Sequence, residues 1–561
     1  MPDQPWFVHY PEGSPHTLSI PPETLVAMLS RSAQRFSRRP ALYFFGKTIS
    51  YRECHALVER FACNLVALGI RKGDRVALCL PNSPQAVIAY FGIVRAGGIV
   101  VSCNPTYTEY ELSHQLRDAG ARAIVVLDMM YQKIQPLNLE LVIVTRITDF
   151  MTTIVKYIYQ RRNAKPPIEI PTSNTTMMFH DFMTGTTPVA PEQLPTVTPD
   201  DIAVLQYTGG TTGVSKGAEL RHRNLMANIR QLVSWFAPTE RTESFLAALP
   251  LFHVFGMTVT QNICLAVGGC MILVPDPRNI QMLLSVIRKK QPTVVSVVPM
   301  LVKKLLEQCT EKDLEAAKFC LCGGAALSYE LLKKFKERTG QLIVEGYGLS
   351  EASPVTHCNI ARGLSVKHSI GLPIANTEAK IVDETGQEVP LEGVGELWVR
   401  GPQVMQGYWN NPEETAKVMR PDGWLATGDM ARMDEDGFFY IVDRKKDMIL
   451  SNSGFNVYPS EIENVLLLHS EVREAAVIGV TSKEGSESIK AVVVPSANEV
   501  SEQDLITHCR RYLAPYKVPR HIEFRVDLPR TILGKTLYRV LRKEEAERPR
   551  PSTASAAVSG E

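Results

Sequence analysis

Between residues 75 and 127 the chain alternates short apolar runs with amphipathic ones, and this alternation constrains its fold most strongly. Residues 75–80, 98–103 and 121–127 read as strands, and 84–96 and 110–119 as helices. Pro84 falls in the first turn of its helix, where a missing donor costs nothing. Strands and helices alternating at these distances imply a parallel sheet covered on both faces. Helices are also expected at 24–36, 53–68, 222–236 and 300–308, and a buried strand at 294–298. From about residue 370 the pattern changes to short strands and turns, at 378–382, 395–400 and 437–442, which suggests a small β subdomain. A last unit reads helix 461–468, strands 475–480 and 489–495, and helix 501–513. Ser460 and Glu463 have the spacing of a capping box for its first helix.

A chain of 561 residues is too long for one core, so at least two domains are expected. Its 61 basic residues balance 59 acidic ones, which gives nucleic-acid binding no support. Eleven scattered cysteines fit a reducing compartment better than a disulfide scaffold. Cys320 and Cys322 have no second Cys/His pair to complete a zinc site and read as small buried residues of a strand. The N-terminus lacks the pattern of a signal peptide, and no apolar run is long enough to span a bilayer. A cytoplasmic protein is therefore expected, soluble or peripheral on the inner face of the membrane. Residues 147–165 bear on that choice. Met151, Ile154, Val155 and Ile158 recur at helical spacing beside Lys156, Arg161, Arg162 and Lys165. Such a helix either lies on an anionic membrane or packs on its own domain.

The chemistry begins at Tyr207-Thr208-Gly209-Gly210-Thr211-Thr212-Gly213-Val214-Ser215-Lys216-Gly217, which follows the apolar run 202–205. The glycines free the backbone and clear side chains from a surface that a ligand must approach. Hydroxyls, backbone donors and one lysine together suit a polyphosphate, although the spacing is not Walker A. An ordinary turn is the plain alternative, and the density of these residue types argues against it. Tyr347, between Gly346 and Gly348, offers an aromatic face to a purine. Ser350 and Glu351 then supply a hydroxyl and a carboxylate, hard oxygens suited to phosphate and Mg²⁺.

The loop resembles the phosphate loop of the adenylate-forming superfamily of acyl-CoA synthetases, adenylation domains and luciferases. The resemblance covers roughly residues 40–545, with five motifs in family order, and is strongest to bacterial long-chain fatty-acid CoA ligases. It rests on the 207–213 loop, Asp443-Arg444-Lys445-Lys446-Asp447-Met448-Ile449, and Gly454-Phe455-Asn456-Val457-Tyr458-Pro459. Departures are Ser215 and Ala326 where the family has Pro, Ser350 where it has Thr, and a loop 451–459 that is one residue longer.

The resemblance implies an α/β fold. A large N-terminal domain of parallel α/β sheets (1–443) carries a small β-barrel subdomain (about 355–443). A hinge joins it to a mobile α+β C-terminal domain (444–545), followed by a disordered tail (546–561). ATP would be held by Thr208, Gly209, Gly210, Thr211, Thr212, Gly213 and Lys216 at the phosphates. Gly324, Ala325, Tyr347 and Gly348 would serve at adenine, Ser350 at phosphate, and Asp429 and Arg444 at ribose. Glu351 would carry Mg²⁺, and His253, in Pro250-Leu251-Phe252-His253, would lie beside the reacting carboxylate. Lys535 would reach the α-phosphate, Lys446 is the hinge, and Gly454 lines the path of coenzyme A. Phe252, Phe255, Met257 and the 294–302 segment are expected to shape the acyl tunnel.

The implied reaction activates a medium- to long-chain fatty acid as acyl-AMP, releases pyrophosphate and passes the acyl group to coenzyme A. Alternatives are an aryl- or medium-chain acyl-CoA ligase, an enzyme loading a carrier protein, and a non-catalytic nucleotide-binding membrane adaptor. The adaptor would need neither Glu351 nor Lys535. The oligomeric state stays open, a homodimer included.

Overall fold

The computed structural model describes residues 4–162, 168–208, 215–325, 327–360, 369–450, 456–481, 487–496, 500–531 and 534–548. The parallel sheet expected from 75–127 is there. Arg75–Cys79, Ile99–Ser102 and Ala121–Leu127 pair in parallel, with Arg75–Cys79 between the other two. They lie inside a seven-stranded sheet that also takes in Leu141–Thr145, Thr176–Met178, Ile202–Thr208 and Lys216–Arg221. Only the last of these, paired with Ile202–Thr208, runs antiparallel to its neighbour.

A second sheet has nine strands. Its centre is parallel: Pro40–Phe44, Cys270–Leu273, Ser244–Ala247, Val294–Val297, Phe319–Cys322 and Ile343–Gly348, in that spatial order. Antiparallel strands Lys47–Ser50 at one end, and Val355–Cys358 with Leu372–Pro373 at the other, complete it. Five of these strands are buried along almost their whole length, as expected where helices cover both faces, while Ile343–Gly348 is buried only at Ile343 and Val344. Ligands of such sheets gather at the carboxyl ends of the strands. Thr208, Cys322 and Gly348 each stand at such an end.

The small β subdomain is a four-stranded antiparallel sheet in the order Glu378–Val382, Gly395–Arg400, Leu425–Met433, Phe439–Arg444. Its last strand starts two residues later than the sequence suggested. Gly437, at φ +80, belongs instead to the turn that Asp434 closes. A short 3-10 helix, Pro5–His9, packs Trp6 edge-on against Phe439, with ring centroids 5.7 Å apart. A β-carbon on Gly437 would stand 2.6 Å from the Trp6 backbone nitrogen. The start of the chain is thus seated on the strand that leads out of the large unit.

The C-terminal unit is a three-stranded sheet, Val472–Thr481, Glu487–Pro495 and His521–Phe524. Period-2 alternation sends its side chains into two separate cores. Val477, Ala491 and Val493 meet Ile462, Leu466 and Leu505 on one face. Ala476, Ile478, Val492 and Val494 meet Leu528 and Leu541 on the other. Neither core merges with those of the large unit.

Two local expectations need correction. The helix placed within 147–165 runs Thr153–Arg162. Met151 lies before it in a turn and is buried, its N–H bonded to the Thr148 carbonyl. Ile154, Tyr157 and Ile158 are 74%, 55% and 46% exposed. Lys165 falls outside the described residues, as do 451–455 and 549–561. The capping box at Ser460 and Glu463 does not form: the helix runs Pro459–Leu467, with Tyr458 at its N-cap and no side-chain cap. Both side chains are drawn to distant partners instead. The Ser460 hydroxyl donates to the Val442 carbonyl while its backbone N–H donates to Asp443 Oδ2, and Glu463 accepts from the Val477 N–H and the Tyr538 hydroxyl. Among the described residues no helix is long and apolar enough to cross a membrane.

Candidate active site

The loop that opens the site is clamped at its base. Thr208 and Lys216 face each other across the strand pair, and the Ser215 hydroxyl donates to the Thr208 carbonyl at 2.8 Å. A proline at 215 would lack that hydroxyl, so serine ties the loop by a bond in place of ring stiffness. Gly209, Gly210, Thr211, Thr212 and Gly213 lie outside the described residues. Lys216, on the exit strand, is ion-paired with Glu414 and stands 5.4 Å from the Tyr408 ring centroid. Hydrogen bonds from Lys216 and then Lys417 hold the Glu414 carboxyl down at about 2.

The next wall is the end of the nine-stranded sheet. Gly324 follows Phe319–Cys322 with φ +85, and a β-carbon there would find only Val298, at 3.8 Å, so the backbone presents an open face. Ala325 follows it in the same turn; Ala326 is outside the described residues. One carboxylate oxygen of Glu345, Oε2, is buried without a partner among the described residues. Burial raises that carboxyl to about 7. Gly348 is required by its neighbour, because a β-carbon would sit 2.0 Å from the Pro354 carbonyl oxygen.

Beyond it, Ser350–Ala352 forms a single 3-10 turn that carries Glu351. The Tyr408 hydroxyl donates to Glu351 Oε1 at 2.7 Å, and Met405 N–H donates to the Glu351 carbonyl at 2.7 Å. Oε2 of Glu351 has no protein partner among the described residues. No group of three metal-ligating side chains occurs among them. One carboxylate suffices for Mg²⁺, which keeps waters and takes its other ligands from substrate phosphate.

Tyr347 and Arg444 converge on Asp429. The Tyr347 hydroxyl donates to Oδ2 at 2.5 Å, and Arg444 Nε pairs with Oδ1 at 2.7 Å. Asp429 is buried, and its backbone N–H donates to Thr427 Oγ1 at 3.1 Å. Asp429 therefore fixes the plane of the tyrosine ring and the fork of the arginine together. A ligand hydroxyl at Asp429 would share a carboxylate that is already anchored.

His253 precedes a seven-residue π-helix, Gly256–Asn262. Burial, followed by the charge of Lys535, lowers its pKa to about 4, so it is neutral near pH 7. Its Nδ1 accepts the Phe255 N–H at 3.3 Å, which leaves Nε2 to carry the proton. Phe255 packs against both large cores, and Met257 is fully buried.

The C-terminal unit brings Lys535 to this place. Thr531 and Lys535 close a tight turn, with Thr531 N–H donating to the Lys535 carbonyl at 2.8 Å. Gly534 in that turn presses on Met300 of the large unit; a β-carbon there would lie 2.9 Å from the Met300 β-carbon. The Lys535 side chain is exposed to solvent, although neighbouring protein atoms displace part of the water around its ammonium. Enclosure, and then the charge of Arg444, lowers its pKa to about 8, while Asp429 and Glu351 pull the other way. Lys535 thus senses Arg444, Asp429, Glu351 and His253 together.

Lys446 lies where the two units join. On one side Lys445 is tied to the four-stranded sheet, by its N–H to the Gly428 carbonyl and by an ion pair to Glu396 at 3.0 Å. On the other, Asp447 pairs with Arg542 of the last helix at 2.6 Å. Gly454 is outside the described residues.

Tyr408 and Glu414 are the site residues that sequence reasoning missed. Asn411 caps the helix Pro412–Val418, so local pattern explains that turn without a ligand. What matters is long-range. Trp409 N–H donates to the Gly217 carbonyl and Glu219 N–H to the Gly407 carbonyl, which docks 407–409 along the strand carrying Lys216.

Known proteins share this arrangement. The AMP-binding enzyme family matches residues 29–409, and the AMP-binding enzyme C-terminal domain matches 461–535. A long-chain-fatty-acid–CoA ligase of Bacillus subtilis (strain 168) is 43% identical over 558 residues, 97% of this chain and 98% of that one. Its counterpart from Yersinia pestis is 41% identical over 565 residues, with the same coverage. Among solved structures, ATP-bound MatB from Rhodopseudomonas palustris superposes with a TM-score of 0.80 at 30% identity, covering 94% of this chain and 99% of that one. Apo MatB from the same organism gives 0.70 at the same identity and coverage. The anthranilate CoA ligase AuaEII in complex with anthranoyl-AMP superposes at 0.81 with 27% identity, covering 94% of this chain and 98% of that one. Matches over both units, in order and along nearly the whole length, mean that the chain belongs to the AMP-binding enzyme family.

Proposed function

We propose that this protein is an ATP-dependent long-chain fatty-acid CoA ligase. The single observation that carries the reading is Lys535: a turn of the second unit that presses on Met300 sets one lysine within electrostatic reach of Arg444, Asp429, Glu351 and His253. The substrate class is taken from relatives above 40% identity that bear that activity in their names.

In the first half-reaction a fatty-acid carboxylate oxygen attacks the α-phosphorus of ATP, and the bond to pyrophosphate breaks. Two anions must meet, so positive charge held in place before the reaction lowers the barrier most. Lys535 supplies it at the α-phosphate and the incoming carboxylate. Lys216 and the 208–213 loop would hold the β- and γ-phosphates. Tyr347, Gly348 and Gly324-Ala325 would flank adenine, with Ser350 at phosphate. Asp429 and Arg444 would take the ribose. Glu351 would hold Mg²⁺, whose charge offsets that of the phosphates. Neutral His253, with its proton on Nε2, would donate to the acid's carboxylate.

In the second half-reaction the coenzyme A sulfur attacks the acyl carbonyl carbon. The bond to AMP breaks, and the thiol proton passes to solvent. Rotation of the small unit about Lys446 would withdraw Lys535 and bring the Gly454 loop to the cleft, an exchange of catalytic faces by hinge motion. The exposed Ile154, Tyr157 and Ile158, beside Lys156 and Arg161, would rest on an anionic membrane. Failure to float with anionic liposomes at low salt would remove that part of the reading.

The test is ATP-dependent AMP release with acetate, octanoate, palmitate or benzoate, each with and without coenzyme A. AMP and thioester with palmitate, requiring coenzyme A, is the expected result. A maximum at octanoate or benzoate would keep the chemistry and change the substrate. No AMP with any acid would overturn the reading.

A further inference from the structure

We infer that Asp443 is a positioning residue: its carboxylate caps the first helix of the small unit across the hinge and holds that unit where Lys535 enters the cleft. The inference rests on the two-half-reaction reading above and names what stabilises its first pose.

The helix Pro459–Leu467 begins without a side-chain cap of its own. Donors in a first helical turn need a partner, and an anion is preferred there. Ser460 N–H finds it in Asp443 Oδ2, at 2.9 Å. The Ser460 hydroxyl donates to the carbonyl of Val442, the residue before. Both acceptors lie on Phe439–Arg444, the last strand of the four-stranded sheet, where Asp443 is registered against Met430 and Arg444 against Asp429. The other carboxylate oxygen of Asp443 accepts the Arg444 N–H at 2.7 Å, so the group is oriented from both sides.

Lys446 separates the two partners. Asp443 belongs to a segment tied to the large unit through Lys445 and Gly428. Ser460 belongs to the unit held together by Asp447–Arg542 and by Glu463 with Tyr538 and Val477. Rotation about Lys446 carries Glu463, Tyr538 and Arg542 along with Ser460, and leaves Asp443 and Val442 behind. The two bonds of Ser460 must therefore break when Lys535 withdraws. The same strand carries Arg444 to Asp429, so the clasp and the nucleotide side of the cleft share one rigid element.

The experiment measures each half-reaction separately in the full chain. Acid-dependent ATP–pyrophosphate exchange reports the first, and thioester formation from preformed acyl-adenylate reports the second. Asp443→Ala is expected to slow exchange about tenfold and Ser460→Ala about threefold. The thioester step is expected to stay within about twofold of wild type or to quicken. Asp443→Asn, which keeps one acceptor oxygen, should fall between wild type and Asp443→Ala. A parallel fall in both half-reactions, or unchanged exchange in Asp443→Ala, would overturn the clasp. A second readout needs no substrate: tryptic cleavage at 444–446 should be faster in Asp443→Ala and Ser460→Ala, at unchanged melting temperature. If wild type shows no exchange with any acid, the ligase reading fails, and cleavage still decides the clasp, since equal cleavage rates would refute it.

Discussion

Lys216 stands beside Tyr408, which bonds to Glu351, and Lys535, on the other unit, lies within electrostatic reach of the same Glu351, yet the protein treats the two lysines in opposite ways. Lys216 stands on a strand, paired with Glu414, close to the Tyr408 ring and clamped at its base by Ser215. Lys535 stands on a short turn, makes no ion pair among the described residues, and has its pKa lowered to about 8. A permanent member of the site can carry its own counter-ion. A visiting one cannot, because a fixed partner would have to be broken at every exchange. On the proposed function, the large unit keeps a lysine already paired with Glu414, and the small unit would bring one whose partner is the ligand. Low effective dielectric gives such a charge its strength and also makes it easy to lose.

Removing the visitor should have the largest effect. Lys535→Ala is expected to lower the adenylation rate by about 10²–10³-fold, as for loss of a preorganised stabilising donor. Thioester formation from supplied acyl-adenylate should survive, and equal loss in both would erase the distinction between the lysines.

The pH profile comes next. A lysine whose pKa is lowered to about 8 is charged below that pH and neutral above it. The kcat/KM for adenylation should therefore drop by up to about tenfold per pH unit above 8, since this parameter reports the free enzyme. The thioester step should not share the drop. A profile flat to pH 10 would mean that Lys535 keeps its proton.

Tyr408→Phe tests the permanent side. Losing a hydrogen bond to a charged carboxylate should slow adenylation roughly tenfold and raise the magnesium concentration for half-maximal rate. An unchanged magnesium dependence would detach Tyr408 from the role of Glu351. The smallest effect is expected from Glu414→Gln. Without its resting counter-ion Lys216 should meet ATP more readily, with KM for ATP falling about threefold. A rise would mean that Glu414 steers Lys216 rather than stores it.

Much of the fold was legible because it is local. The strands and helices from 75 to 127 follow from periodicity, and Ala121–Leu127 begins and ends where the apolar run does. The motif residues Tyr347, Asp429, Arg444, Glu351, His253 and Lys535 were also legible, and folding brings them together. What failed was decided elsewhere in the chain. Ser460 and Glu463 have capping-box spacing, yet the Val442 carbonyl and the Tyr538 hydroxyl offered their side chains partners 18 and 75 residues away. Tyr408 reaches Glu351 across 57 residues, and Glu414 reaches Lys216 across 198. A local pattern carries no trace of such distances. Met151 continued the spacing of the helix after it, but its backbone closed a turn first.

The seat of Trp6 on Phe439 and Gly437 has a consequence for synthesis. Trp6 leaves the ribosome more than four hundred residues before its partners do. The seven-stranded sheet has all its strands once residue 221 has emerged. The N-terminal segment must wait for the four-stranded sheet, and contacts so far apart in sequence form slowly. Until then the segment that carries Trp6 lacks its seat on Phe439. Its docking on the strand before Lys446 marks the moment when the hinge acquires a firm base.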